Sequence, residues 1–486
     1  HYHTDWLNMM YPRLRLARNL LTDDGVIFIS VDDNEAANLK KICDEVFGEQ
    51  NFVSQLVWER AFSPKNDAKY ISNSHDYILM YAKSIGNFII GRLPRTKEAN
   101  LRYQNPDNDP RGVWMSSDIS VKTYNAACDY PITAPSGRVI EPPAGRCWSL
   151  SKKEFLERLH DNRIWFGPDG NGVPRIKRFL TDLKYNGMAP TSILFFKEVG
   201  HSQEGAQEVS KLLNGGFFSG PKPVRLLRRL LTLANTNTDS IVLDFFSGSS
   251  TTAHAVMQLN AEDGGSRRFI MVQLPEPCPD DSEAAKAGYK NICEIGKERI
   301  RRAGEKIKTE VEKQNAQLKL DEKPKKVPDI GFQVFKLDSS NLKKWNTEAG
   351  MTADYVDGSE QLNFSEKKLA EDLQAAVENY IPGRTEQDVV YEILLKMGFD
   401  LTWPVEEKVI AGKKVYVVAL GALMLCLENN ITPDVARGMA ELHKQLAPET
   451  WKVVFRDNGF ASDSDKVNVH EILKSAGLEE DAFTTV

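Results

Sequence analysis

The sequence predicts an α/β protein: a parallel-sheet core, split by a loop-rich insert and followed by a second α/β region. Three observations carry this. Short continuous apolar runs such as VIFISV (Val26–Val31) alternate with helical stretches, the pattern of strands buried on both faces. Between about residues 92 and 215, Pro, Gly, Asn and Asp become dense (NPDNDPRG, PSGRVIEPPAGR, FGPDGNGVPR), the texture of loops and short strands. The polar stretch DEKPKKVP at 321–328 then reads as a linker to a third region.

Residues 6–21 place apolar side chains at helical spacing until Thr22-Asp23-Asp24-Gly25 breaks the run. Val26–Val31 reads as a buried parallel strand. Asp32-Asp33-Asn34-Glu35 supplies capping residues for a helix over 35–47, with Asp32 and Asp33 as an N-cap pair. Strands are predicted at 52–58 (FVSQLVW) and 77–81 (YILMY). Past the insert, the pattern predicts a helix at 224–234, a strand at 240–243, a helix at 251–259, a strand at 268–274 and one long polar helix over 284–319. Beyond the linker, 331–337 reads as a strand and 365–379 and 387–397 as helices. Gly412 marks a hairpin turn, 432–445 a helix and 451–456 a strand.

The 486 residues carry a net charge of −6, with 27% charged and 41% hydrophobic residues. That is a globular balance and excludes a disordered tail or a collagen-like chain. No apolar stretch is long enough to span a bilayer as a helix. Six scattered cysteines without a CxxC pair argue against a zinc site and for a reducing cytoplasmic compartment. The charge is uneven: residues 92–200 hold 17 Lys and Arg against 12 Asp and Glu, a net +5 that leaves −11 for the rest. Such a segment suits a polyanion, and a solvated loop-rich insert has the same charge. The chain opens at His1-Tyr2-His3 and runs directly into a helical pattern, so a natural amino terminus is expected upstream.

Chemistry concentrates in IVLDFFSGSSTTAHAV at 241–256, where a strand ends at Asp244, a small-residue turn follows and a helix starts at Thr251. Small residues let a backbone approach a ligand, and free N–H groups at the helix start face it, so this reads as a nucleotide or nucleoside turn. An ordinary strand–glycine–helix junction has the same spacing. There is no Walker lysine and no GxGxxG. The next strand ends in Gln273-Leu274-Pro275-Glu276, where such sheets carry a polar side chain for ribose hydroxyls. Lys222, ahead of Pro223, can meet a ligand carboxylate or simply open a helix. His75 and His254 read as structural.

Lys222-Pro223, DFFSGSSTT at 244–252 and VQLPE at 272–276 resemble motifs X, I and II of S-adenosylmethionine-dependent amino-DNA methyltransferases. Their order resembles the β class, and more specifically the Mod subunit of type III restriction–modification systems. The segments that carry the likeness are 6–35, NPDNDPRGVWMSSDIS (105–120), DYPITAPSGRVIEPPAGRCW (129–148), NRIWFGPDGNGVPRIKRFL (162–180) and VVFRDNGFASDSDKVN (453–468).

The resemblance implies a Rossmann-like methyltransferase core assembled from 1–91 and 215–320, a target-recognition insert at 92–214 and an α/β carboxy-terminal domain at 329–486. It implies transfer of the methyl group of S-adenosyl-L-methionine to adenine N6 in a short asymmetric site of double-stranded DNA. A restriction (Res) helicase–nuclease partner, a homodimer, no membrane and no metal complete the expectation. Cofactor contacts fall on Lys222, Asp244, Phe245, Phe246, Ser247, Gly248, Ser249, Thr251, Thr252, Gln273 and Glu276. DNA contacts are expected from Arg111, Arg146, Arg163, Arg175 and Arg178, which stand among the insert's aromatics.

Three departures stand out. Ser250 replaces a usual second glycine, and Gln273 stands where an acidic residue is common. The catalytic Asp-Pro-Pro-Tyr motif is absent from the 486 residues and is expected upstream of His1. No catalytic residue is therefore assigned, and no methyl transfer is expected from this chain by itself. Cytosine-N4 methylation and a non-catalytic DNA-recognition scaffold remain as alternatives.

Overall fold

The computed structural model describes residues 2–64, 68–184, 187–318, 323–344, 347–356, 359–377 and 380–486, and of 353–356, 359–362 and 376–377 the backbone alone. His1, Lys319, the linker's first residues at 321–322 and the predicted helix end at 378–379 lie outside the described residues. The chain forms two units, His1–Gly331 and Phe332–Val486.

In the first unit, α1 (Tyr2–Leu20) buries Met10 and Leu14, and α2 (Ala36–Phe47) buries Leu39, Cys43 and Phe47, in one cluster with Leu79 and Tyr81. β1 (Val26–Val31), β2 (Phe52–Glu59) and β3 (His75–Ala82) form a sheet in the order β1-β3-β2, with the two-residue strand Ile193–Leu194 parallel beside β2. The parallel pairing predicted for β1 is wrong. It runs antiparallel to β3, with Val26 opposite Ala82 and Val31 opposite Tyr77. A continuous apolar run reports burial of both faces but says nothing about the direction of its neighbour.

The insert carries β4 (Trp114–Asp118), α3 (Lys152–His160), β5 (Ile164–Trp165) and β6 (Arg175–Phe179). These three strands pair antiparallel in the order β4-β6-β5, over a small core of Ile119, Trp148, Phe155, Phe166 and Ile176. α4 (Ser202–Leu213) follows and packs Val209 and Leu213 against Cys278, Ala284 and Ile295.

α5 (Val224–Leu233) is apolar on two sides. Leu226 and Leu230 meet Trp58 and Ile78 of the first sheet, while Val224 and Leu231 meet Ala255 and Val256. The chain then forms β7 (Ile241–Asp244), α6 (Thr251–Asp263) and β8 (Arg268–Met271), a β–α–β unit with β7 and β8 parallel. The single helix predicted over 284–319 is broken. A short helix Glu283–Lys286 stops at Gly288, whose φ of +94° no helix accepts. Asn291 then caps a new helix, α7 (Ile292–Ala316), by accepting from the Glu294 N–H.

The second unit begins without the strand predicted at 331–337, which pairs with nothing regular and leaves Leu337 fully exposed. Its alternation had no partner strand to bury one face. A hairpin of β9 (Met351–Val356) and β10 (Ser359–Phe364) precedes α8 (Glu366–Val377) and α9 (Glu386–Lys396). A five-stranded sheet follows, built from β11 (Val405–Ile410), β12 (Lys413–Val418), β13 (Leu423–Cys426), β14 (Lys452–Phe455) and β15 (Phe483–Thr485). The predicted hairpin turn at Gly412 is present, with Ala411 and Gly412 both left-handed. α9 covers one face of this sheet, while α10 (Pro433–Leu446) and α11 (Asp463–Ser475) cover the other.

Candidate functional site

The site grows from the end of β7. Asp244 sits at the last strand position, and its carboxylate is already engaged with the turn it precedes. Oδ1 accepts the Phe246 N–H (3.2 Å) and Oδ2 accepts the Thr252 hydroxyl (2.6 Å). The small residues between them are required by the backbone. Gly248 and Ser250 are left-handed, with φ of +50° and +59°. A Cβ on Gly248 would also come within 3.0 Å of the Phe218 ring.

The expectation that this turn offers free N–H groups is corrected in part. Ser247 N–H donates to the Val272 carbonyl, Gly248 N–H to Gln273 Oε1 (2.7 Å) and Ser250 N–H to the Ser247 carbonyl (2.7 Å). Gln273 therefore holds the turn, and its side-chain oxygen is spent there. The exposed acidic group at this corner is Glu276. Of the two phenylalanines, Phe245 is half-buried and Phe246 exposed, their centroids 5.4 Å apart.

Ser249 and Thr251 face into the protein. Both hydroxyls accept from Nη1 of Arg299 on α7, at 2.8 and 2.6 Å. Arg299 is completely buried, and burial pulls its pKa down to about 10 against the opposing carboxylate of Glu208, whose Oε2 lies 3.8 Å from Nη2. Its Nε and Nη2 have no hydrogen-bond partner. Glu208, on α4, is raised by its own burial and accepts the Val224 N–H that opens α5 (3.0 Å). One buried cation thus ties α4, α5 and α7 to the turn. The sequence held a signal for it: Ile295, Arg299, Ala303, Ile307 and Val311 recur at i, i+4 spacing, so Arg299 stands in an apolar stripe.

Lys222 is half-buried beside this turn and makes no ion pair among the described residues. Burial lowers its pKa, opposed by the charges of Asp76 and Asp244. Asp76, at the start of β3, is raised by burial despite Arg60, whose Nε lies 3.0 Å away, and despite Lys222; Asp32 raises it further. The ends of β3 and β7 therefore bring Asp76 and Asp244 into the field of one lysine, with Asp32, after β1, acting on Asp76. No local sequence signal sets Asp76 apart, because only the fold brings it near Lys222. His75 beside it bonds Tyr77 Oη at 3.1 Å.

Asp32 and Asp33 do not form the predicted N-cap pair. Asp32 closes its own turn by accepting from Asn34 N and Nδ2, and the N-cap residue of α2 is Glu35, whose side chain makes no cap bond. His254 is half-buried on α6 with its pKa pushed down to about 3 by desolvation, a neutral packing residue. All six cysteines are free thiols. Among the described residues no group of three or more His, Cys, Asp or Glu is arranged for a metal, and no helix is long and apolar enough to cross a membrane.

The five insert arginines divide. Arg111 grips the fully buried Asp109 with two parallel bonds (2.8 and 2.9 Å) and also reaches Asp161. Arg163 pairs with Asp161 and Asp182, and Arg146 with Asp118. The buried Lys177 joins the same network through Asp107 and Asp109. Arg175 and Arg178 are exposed; among the described residues Arg175 hydrogen-bonds Ser116 alone and Arg178 makes no ion pair.

Comparison with known proteins adds identity to this geometry. A family described as DNA methylase, of the N6/N4 methyltransferase type, matches residues 1–305. The StyLTI Mod subunit of a type III restriction-modification enzyme from Salmonella typhimurium is 40% identical over 310 residues, covering 63% of this chain and 46% of its own. The EcoP15I Mod subunit from Escherichia coli is 29% identical over 515 residues, covering 97% of this chain and 71% of its own. The chain thus spans about half the length of the first of these relatives. Among solved structures, a putative DNA modification methylase of Thermus thermophilus, complexed with S-adenosyl-L-methionine, aligns over 62% of this chain and 78% of its own, at 15% identity and a TM-score of 0.28. A likeness that slight carries no structural argument.

Proposed function

The chain belongs to the N6/N4 DNA methylase family, and from that premise we propose that it is the modification subunit of a type III restriction–modification system. In this reading it serves methyl transfer from S-adenosyl-L-methionine to adenine N6 in double-stranded DNA. The observation that carries the proposal is the braced turn 244–252 beside Lys222, which has no ion pair among the described residues. When bound, the sulfonium cofactor supplies the methyl group. The residues present fit such a ligand: the Lys222 ammonium suits a carboxylate, the acidic ends of β1, β3 and β7 suit a cationic amino group, and exposed Glu276 suits hydroxyls. The proposed division is a core from 1–91 and 215–320, a target-recognition insert at 92–214 and a carboxy-terminal domain at 329–486. Duplex DNA, a Res subunit and a second copy of the chain are the proposed partners, in the cytoplasm.

Calorimetric titration of S-adenosyl-L-methionine into the wild type and Gly248→Leu tests the assignment. Leucine needs a left-handed backbone there and collides with Phe218, so binding is expected to vanish. Lys222→Met should weaken binding roughly 10- to 150-fold, the worth of one charge-assisted hydrogen bond. Equal heats from all three proteins would remove the turn from the site.

A further inference from the structure

α4 carries a glycine in its first turns, Gly205, although glycine is a poor helix former and this one has an ordinary right-handed backbone. The reason lies in what packs on it. A Cβ on Gly205 would stand 2.2 Å from the Pro221 carbonyl oxygen and 2.9 Å from the Lys222 carbonyl carbon, both of them backbone atoms. The peptide that carries Lys222 therefore rests directly on the helix.

The same helix grips the residues on either side. Glu208 accepts the Val224 N–H (3.0 Å), and the Glu204 carboxylate takes Arg225 with bonds of 2.7 and 2.8 Å. Ahead of the helix Gly200 is left-handed, and a Cβ there would meet Pro223 Cβ at 2.9 Å. The helix itself is anchored. Trp58 Nε1 of β2 donates to the Gly200 carbonyl (2.9 Å), and His201 Nδ1 caps α4 by accepting the Glu204 N–H (2.9 Å). Pro221, Pro223 and Val224 are buried, whereas Lys222 between them is half-buried, and the proline that follows it confines its backbone to extended conformations.

A lysine ammonium is a point charge on a flexible stem, so its reach is set by where its backbone stands. Lys222 has no ion pair among the described residues to fix it, and Asp76 and Asp244 act on it only through their charge. We propose that Gly205 is a positioning residue for Lys222: the gap it leaves in α4 seats the 221–222 peptide and so sets where the ammonium meets the carboxylate of S-adenosyl-L-methionine. The proposal rests on the cofactor reading above and names the residue on which Lys222 depends.

With alanine at 205 the peptide has to withdraw by about 1 Å, and a misplacement of that size costs up to about 100-fold. The test is calorimetric titration of the 486-residue chain with S-adenosyl-L-methionine and with its decarboxylated form, which lacks the carboxylate alone. The wild type should prefer the complete cofactor, and Lys222→Met should lose that preference. Gly205→Ala should bind S-adenosyl-L-methionine roughly 10- to 100-fold more weakly and the decarboxylated form as the wild type does. Pro223→Ala, which frees the Lys222 backbone without a collision, should lower the preference in the same direction, and it decides the matter where Gly205→Ala does not fold. Equal weakening of both ligands by Gly205→Ala shows a merely structural role and overturns the proposal. So does a preference kept by Gly205→Ala and Pro223→Ala while Lys222→Met loses it, which leaves the Lys222 assignment standing. A wild type that binds both ligands alike or neither, or a Lys222→Met that keeps the preference, overturns the cofactor reading of Lys222 and the positioning role together.

Discussion

At the scale of single residues, Arg299 and Glu392 show how a buried charge is put to use. Arg299 is shut away from solvent and its Nε and Nη2 lack acceptors, yet it holds the two hydroxyls that set the start of α6. Truncation to methionine would leave Glu208 without its counter-charge and free the turn. We expect Arg299→Met to lower unfolding free energy by about 2–4 kcal/mol and, in the folded fraction, to weaken cofactor binding, whereas Glu208→Gln should affect stability more than binding. Denaturant titration and calorimetry separate the two effects. In the second unit, burial alone would raise the Glu392 carboxyl. Donors from Lys396, Ser340 Oγ and Asn341 outweigh it and hold the pKa at about 2, against 4.5 ordinarily. The sign follows: a depressed folded pKa stabilises fully above pH 4.5 and is lost as pH falls from there towards 2. The denaturation midpoint should therefore fall over that window in the wild type, and fall less in Glu392→Gln, which starts lower at neutral pH.

At the scale of elements, the junction between the first sheet and the β7 half depends on a close backbone approach. Gly91 N–H donates to the Leu233 carbonyl at the end of α5, and a Cβ there would stand 1.7 Å from the Thr232 carbonyl oxygen, a distance no adjustment of a side chain can relieve. Gly91→Ala should cost about 1–3 kcal/mol or more and broaden thermal unfolding of the first unit, while Gly86→Ala, with open space around it, should be neutral. Most elements were legible because period and punctuation report burial: α5 by its leucines, β7 and β8 by apolar runs ending in polar residues, the β11–β12 hairpin by Gly412. What was not legible depends on partners distant in sequence. The direction of β1 is decided by β3, the failure of 331–337 to form a strand by the lack of a neighbour, and the break before α7 by Gly288 and Asn291 inside an otherwise helical composition. In the site, the turn and Lys222 could be read locally. Asp76, Glu208 and Arg299 reach it only through the fold, although the apolar stripe at 295–311 already marked Arg299 as out of place on a surface.

At the scale of the whole molecule, the question is which charges remain available to DNA. The insert's +5 is a property of its composition, whereas a field at the surface depends on how many cations are left unpaired. Arg111, Arg146, Arg163 and Lys177 have carboxylates of the insert itself, so much of that charge is spent on holding loops together. Sequence could reveal Asp109 two residues from Arg111 and Asp161 two residues from Arg163, but not Asp182, which the fold delivers to Arg163. Strand alternation on β6 places Arg175 and Arg178 on opposite faces, and a single duplex meets one face. Arg178 is exposed and without an ion pair among the described residues, while Arg175 lies in the field of Asp118. We therefore expect Arg178→Ala to weaken binding to any duplex and to reduce the slope of log affinity against log salt by about one, the signature of one lost phosphate contact. Arg111→Ala should behave differently. It strands the buried Asp109 with Lys177 as its remaining cation, so its effect should appear as about 2–4 kcal/mol of lost stability, with the salt slope unchanged in protein that stays folded. Measuring affinity across a salt series for both variants, beside their melting curves, decides the matter. If Arg178→Ala leaves the slope intact while Arg111→Ala lowers it, the paired arginines exchange their aspartates for phosphate on binding, and the insert's ion pairs are a resting arrangement rather than a scaffold.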